Sequence, residues 1–197
     1  MDNKLGFILI LIGIVSFAAG LIIWLWFYPK RKRFLDQLRK ELRLECPRGA
    51  LIFRGGKLKG VYRDREIKIV PFVSEAKLWI LVKFFNPKDF LASIKPRRPG
   101  MFLSRPISKR NRKELFTGNT NFDSQFKVLG TATPEIQKIL PSSVQKKLIQ
   151  LSKKENFEIQ ILHDGISYVS ESRTRDVSLA KFILDLLIDI TENITFI

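Results

Sequence analysis

From Leu5 to Tyr28 the chain carries no charge, and charge returns at once in the run Lys30-Arg31-Lys32-Arg33 behind Pro29. Fifteen of these 24 residues are Leu, Ile, Val or Phe. At 1.5 Å per residue such a helix rises about 36 Å, enough for a hydrocarbon core of roughly 30 Å. The pattern therefore predicts one amino-terminal transmembrane helix, residues 1–29. A cleaved signal peptide fits less well, because its positive charge precedes the apolar region. Asp2 and Lys4 cancel ahead of the helix and four cations follow it. The positive-inside rule then predicts a single-pass protein of the cell membrane, with its amino terminus outside and its carboxyl-terminal domain cytoplasmic. Trp24, Trp26 and Tyr28 suit the headgroup level at that boundary. Gly6, Gly13, Ser16 and Gly20 fall along one seam, the pattern expected of membrane-helix packing.

Pro29 is expected to bend the chain and open a second helix. Within residues 30–45, Phe34, Leu35, Leu38 and Leu42 recur at helical spacing, a stripe better suited to covering a sheet than to lying on lipid. Strand patterns follow. Ala50 to Arg54, the Gly55-Gly56 turn and Lys57 to Arg63 read as a hairpin, which Glu66 to Phe72 and Lys77 to Phe85 extend into an antiparallel meander. The consecutive apolar residues Leu78 to Val82 mark a central strand. Residues 30–92 thus form a basic helix plus β-meander.

Residues 93–116 read as a basic linker, since Pro96, Pro99 and Pro106 interrupt them and eight cations face Glu114 alone between Ser93 and Glu114. Beyond it, residues 117–197 read as strand, helices, hairpin and helix. Phe122 to Leu129 is the strand. Thr133 and Ser142 or Ser143 are candidate helix caps, with the second helix reaching about Lys154. Phe157 to Leu162 and Ile166 to Glu171 flank His163-Asp164-Gly165, a strong hairpin signal. The final helix, Asp176 to about Asn193, is apolar except for a stripe of Lys181, Asp185, Asp189 and Glu192. Lys181 and Asp185 are placed to pair there, and so apolar a helix belongs between the sheet and the Ser143 to Lys154 helix.

Charge sharpens this division. Residues 30–116 hold 25 Lys and Arg against 8 Asp and Glu, or +17, whereas residues 117–197 hold 9 against 10, or −1. A basic surface beside an apolar helix points to anionic headgroups, with nucleic acid as the alternative polyanion. Lys30, Arg31, Lys32, Arg33, Arg97, Arg98, Arg110 and Arg112 are the expected contacts to lipid headgroups or other phosphates. Phe102 alone interleaves with the linker cations, which leaves base stacking little to work with.

Catalytic chemistry finds little support. One histidine, His163, and one cysteine, Cys46, cannot supply an ordinary zinc ligand set. Asp164 follows His163 in a turn, a poor place from which to orient the ring for a triad. Asp123 is the best isolated carboxylate, and its position favours binding the backbone amides of a turn. No catalytic, metal or cofactor-binding residue is expected.

Thr117-Gly118-Asn119, Phe122-Asp123, Phe126 and Val128, together with Gly60-Val61-Tyr62-Arg63-Asp64-Arg65, resemble a group of bacterial single-pass membrane-anchored proteins. In these a Gly-Asp pair precedes a Phe-Asp and a Phe-x-Val strand. Asn119 stands where the group has Asp. The resemblance implies an architecture and no activity.

The expected fold class is α+β: a transmembrane helix, then an antiparallel meander with helices, as one domain or as two small subdomains. The expected function is non-enzymatic: a membrane-tethered interaction, scaffold or assembly protein, or an accessory subunit of a membrane complex. Its expected partners are an anionic bilayer and a protein in the membrane or a second copy. A membrane-tethered nucleic-acid binder is the first alternative and an enzyme with a carboxylate site the second.

Overall fold

The computed structural model describes residues 3–44, 57–71, 78–86, 90–98, 113–131, 136–170 and 176–195, and side chains of the first helix at 10–22, 29 and 32–44. The expected Ala50 to Arg54 strand, the Gly55-Gly56 turn, Cys46, the Thr133 cap, Arg110 and Arg112 lie outside these residues.

The first helix, α1 (Asn3–Glu41), is continuous over 39 residues and contains Pro29 in its interior. The break expected at Pro29 does not occur, so the apolar and basic segments share one helix. Among the described residues no helix is long and apolar enough to cross a membrane. This overturns the expected transmembrane helix and, with it, the single-pass topology and the cytoplasmic placement of the domain. With no span, the flanking cations have nothing to orient.

The meander is present as β1 (Leu58–Tyr62), β2 (Arg65–Pro71) and β3 (Leu78–Lys83). Ile67 faces Val82 and Ile69 faces Ile80 across β2 and β3, which puts alternate apolar residues on one face. The chain continues through β4 (Ala92–Pro96), β5 (Lys113–Leu115), α2 (Thr120–Gln125), β6 (Phe126–Gly130), α3 (Ile136–Ile139), α4 (Ser142–Lys154), β7 (Phe157–Ile161), β8 (Gly165–Ser170) and α5 (Val177–Thr195). All strands join one antiparallel eight-stranded sheet in the order β1-β2-β3-β8-β7-β4-β6-β5.

Three readings of local sequence are corrected by the structure. The ends of the expected basic linker are strands: β4 lies between β7 and β6, and β5 forms an edge. Pro96 fits because it ends β4. The expected Phe122 strand begins as a helix, because the Asn119 side chain accepts the Phe122 amide and caps α2. Phe122 and Phe126 then stack at 4.6 Å. Ser142, a candidate cap, lies inside α4, where Pro141 occupies the cap position without a side-chain hydrogen bond.

The β7–β8 hairpin forms at Leu162 to Asp164 as expected, with the Leu162 amide donating to the Gly165 carbonyl at 2.8 Å. Glycine is needed for closeness here, since a Cβ at Gly165 would lie 2.7 Å from the Val82 carbonyl oxygen. The left-handed turn occurs instead between β1 and β2, where Arg63 and Asp64 have φ of 46° and 59°. Such geometry costs roughly 1–2 kcal/mol per non-glycine residue. Contacts to α5 offset it: the Tyr62 hydroxyl donates to Asp185 at 2.9 Å, and Arg63 pairs with Asp185 and Asp189.

One face of the sheet, including Ile80, Ile94, Ile159 and Tyr168, is fully buried. α5 packs against β3 and β8 and is flanked by α1, α3 and α4, so the sheet and α4 enclose it as its apolar circumference predicts. Phe34, Leu35, Leu38 and Leu42 of α1 are buried in this same core, and the stripe covers the domain rather than lipid. Within the core, Glu155 accepts hydrogen bonds from the Tyr168 hydroxyl and, at 2.6 Å, from Ser170. Burial, followed by the charge of Glu155 and its hydrogen bond, pushes the Tyr168 hydroxyl well above its ordinary pKa.

Candidate functional site

A helix that is apolar on most sides must be covered to be stable in water. Residues 10–22 of α1 are uncovered. Ile10, Leu11, Ile12, Ile14, Val15, Phe17, Leu21 and Ile22 are 44–73% exposed. At 100° per residue these side chains occupy a sector of about 220°. The remaining sector carries Gly13, Ser16 and Gly20. A Cβ built at Gly13 or Gly20 would meet nothing within 4 Å, so the small-residue seam touches no other part of the described protein. Gly6 lies on the same helix.

The expected phosphate contacts separate into two groups. Lys32 and Arg33 are exposed, one or two residues before the buried stripe begins at Phe34, and Lys30 and Arg31 belong to the same helix. They connect the apolar segment to the domain. Arg97 and Arg98 serve the fold instead. Arg97 Nε donates to the carbonyls of Asp123 and Phe126 at 3.0 and 3.1 Å, and its guanidinium pairs with Glu114. Arg98 donates to the Ser152 carbonyl at 2.7 Å and to Asn156 at 3.0 Å, closing the last turn of α4. A guanidinium at a helix carboxyl end satisfies exposed carbonyls and opposes the dipole. The two arginines thus have positions other than the linker reading implied.

Asp123 binds a turn, as its place in the sequence predicts. Its carboxylate accepts from the Thr117 amide and hydroxyl at 3.0 and 2.9 Å and from the Gly118 amide at 3.1 Å. Gly118 has φ of 80°, which suits glycine. Asn119 completes the motif by donating to Gln145 of α4 at 2.7 Å. His163 lies in the β7–β8 turn, where its carbonyl accepts from the Asn86 amide at 3.2 Å. Among the described residues no group of three or more His, Cys, Asp or Glu could hold a metal ion.

Along the polar stripe of α5, pairing differs from the expected Lys181–Asp185 contact. Lys181 reaches Glu41 at the end of α1, at 3.2 Å. Its hydrogen bond to Glu41 and that charge raise its pKa. Asp185 is taken by Tyr62 and Arg63, and Asp189 by Arg63 and Lys147 of α4. Burial, then the Asp185 hydrogen bond, raises the Tyr62 pKa. A groove of about 270 Å³ beside this network is lined by Gln150, Leu151, Lys153, Lys154 and Phe182. Sequence reasoning missed it. A usable signal was Phe182 itself, an aromatic residue seven positions before Asp189 on α5.

Neither a protein-family model nor a curated protein matches this sequence. Among solved structures the chain is similar in fold to the crystal structure of the mycobacterial trehalose monomycolate transport factor A, TtfA. The TM-score is 0.58 at 10% sequence identity, over 83% of this chain and 93% of that one. At that identity the likeness concerns the fold.

Proposed function

We propose that the protein is a non-enzymatic accessory factor that works by binding at an anionic lipid surface. The reading is carried by the uncovered apolar segment of α1 and its continuity with the exposed Lys32 and Arg33. The 220° apolar sector offers the acyl boundary of a lipid surface a continuous apolar face, with the exposed cations of the following turns at headgroup level. Such a helix lies in contact with the surface without crossing it. Cations on the following turns add about 1 kcal/mol each near anionic lipid. The fold neighbour, named as a transport factor, supports an accessory or transport-related role in preference to catalysis.

Vesicle flotation tests the reading. The full chain is expected to float with vesicles of phosphatidylglycerol and phosphatidylcholine, and less with phosphatidylcholine alone. Ile14→Lys/Phe17→Lys should abolish flotation, and Lys32→Gln/Arg33→Gln should weaken it about fivefold per charge on anionic vesicles. Equal flotation of the Ile14→Lys/Phe17→Lys protein would refute the proposal.

A further inference from the structure

α4 and α5 face each other in a register set by Lys147 and Asp189, which form an ion pair. Seven residues are close to two helical turns, so Lys154 returns to the face of α4 that carries Lys147. Seven positions back along α5 the equivalent of Asp189 is Phe182. The second pairing position therefore offers a cation opposite an aromatic ring, and the groove opens there.

Among the described residues, the carboxylates on these two helices and at the end of α4 nearest the groove are engaged elsewhere. Asp185 is engaged by Tyr62 and Arg63 and Asp189 by Lys147 and Arg63, while Glu155 turns inward to Tyr168 and Ser170. Among the described residues, neither Lys153 nor Lys154 has an ion-pair partner. The negative end of the α4 dipole would disfavour an anion, but Arg98 already caps that end through the Ser152 carbonyl at 2.7 Å. The local field is therefore dominated by the two ammonium groups. Beneath them the accessible apolar surface is the half-buried ring of Phe182, with Leu151 fully buried behind it.

We propose that this groove binds an anionic amphiphile, with part of an acyl chain against the exposed edge of Phe182 and its anionic head held by Lys153 and Lys154. A volume of 270 Å³ falls just below the roughly 300–1,000 Å³ of ordinary ligand sites, which suits a medium chain or the end of a longer one. The inference rests on the lipid-surface reading only for the source of its ligand.

Photolabelling of the full chain with dodecyl phosphate carrying a chain diazirine tests the groove. Label is expected on residues 150–154 or around Phe182. Unlabelled dodecyl phosphate should compete with it at concentrations at which inorganic phosphate and uncharged dodecyl maltoside do not. Lys153→Gln/Lys154→Gln should weaken competition at least tenfold. Phe182→Asp, which places an acid opposite Lys154, should remove the label. Gln150→Trp should also remove it by filling the groove from an exposed position that leaves the core intact, and this holds the test open if Phe182→Asp fails to fold. Ile14→Lys/Phe17→Lys should keep the groove label while losing vesicle flotation, so the two readings fail separately. Label confined to α1, labelling indifferent to the groove variants, or equal competition by inorganic phosphate or dodecyl maltoside would overturn the proposal.

Discussion

Replacing Tyr168 by Phe removes one hydroxyl and keeps the ring, which isolates the buried contact with Glu155. Glu155 then retains Ser170, at 2.6 Å, as its hydroxyl donor. A hydrogen bond to a charged group is worth about 1.5–3 kcal/mol. At about 2–4 °C per kcal/mol for a domain of this size, Tyr168→Phe should lower the melting temperature by about 3–12 °C. The ring packs against Phe157 at 5.7 Å, and this contact survives the substitution. Alkaline pH provides a second, independent readout. The folded-state pKa of Tyr168 is raised above the ordinary value of 10.0. Its contribution is therefore fully present below pH 10 and declines as pH rises above it, by up to about 1.4 kcal/mol per unit. Thermal unfolding followed by circular dichroism at pH 8 and pH 11, in non-ionic detergent to cover α1, measures both. The wild type should lose more stability than Tyr168→Phe between the two pH values. An unchanged melting temperature at pH 8, or the same alkaline loss in both proteins, would refute the account of Glu155 and Tyr168 as a coupled buried pair.

Two glycines should respond in opposite senses. Gly165→Ala forces a Cβ to 2.7 Å from the Val82 carbonyl oxygen, and overpacking of this kind should cost about 1–3 kcal/mol in a denaturant titration. Gly13→Ala meets open space and should raise helicity, gaining up to about 1 kcal/mol in α1. Arg98→Gln removes the guanidinium from the end of α4; a loss of about 1 kcal/mol with faster amide exchange at residues 150–154 is expected. Asp185→Asn leaves Arg63 without its nearer carboxylate and should increase proteolysis at the Arg63-Asp64 turn.

The hairpin around His163-Asp164-Gly165 was legible because two alternating runs bracket a short polar turn. The last helix was legible because its charges fall on one narrow stripe. Phe34 to Leu42 was legible for the same reason, and its stripe meets the core. Other elements were hidden by competition between signals. Phe122, Phe126 and Val128 alternate like a strand, and the helix over the first of them depends on one Asn119 cap. β4 and β5 sit in a stretch whose prolines and cations read as a loop, yet Arg97 is drawn into backbone carbonyls that only the folded sheet assembles. The apolar run from Leu5 has the composition of a span, but composition does not reveal that its helix continues through Pro29 into the domain. The groove at Phe182 requires two helices in register, which no single segment encodes.

The position of β7 and β8 between β3 and β4 fixes the order in which the sheet can be completed. β3 and β4 leave the ribosome well before β7 and β8, so each must wait for a partner strand that follows it by about 65 residues or more. Until Ser170 has emerged, two apolar strand edges lack their native neighbours. Domain closure is thus dominated by long loop closures, a topology that folds slowly. A carboxyl-terminal truncation before Phe157 should leave two unjoined pieces of sheet, with the stripe of α1 waiting on a helix that has not been made.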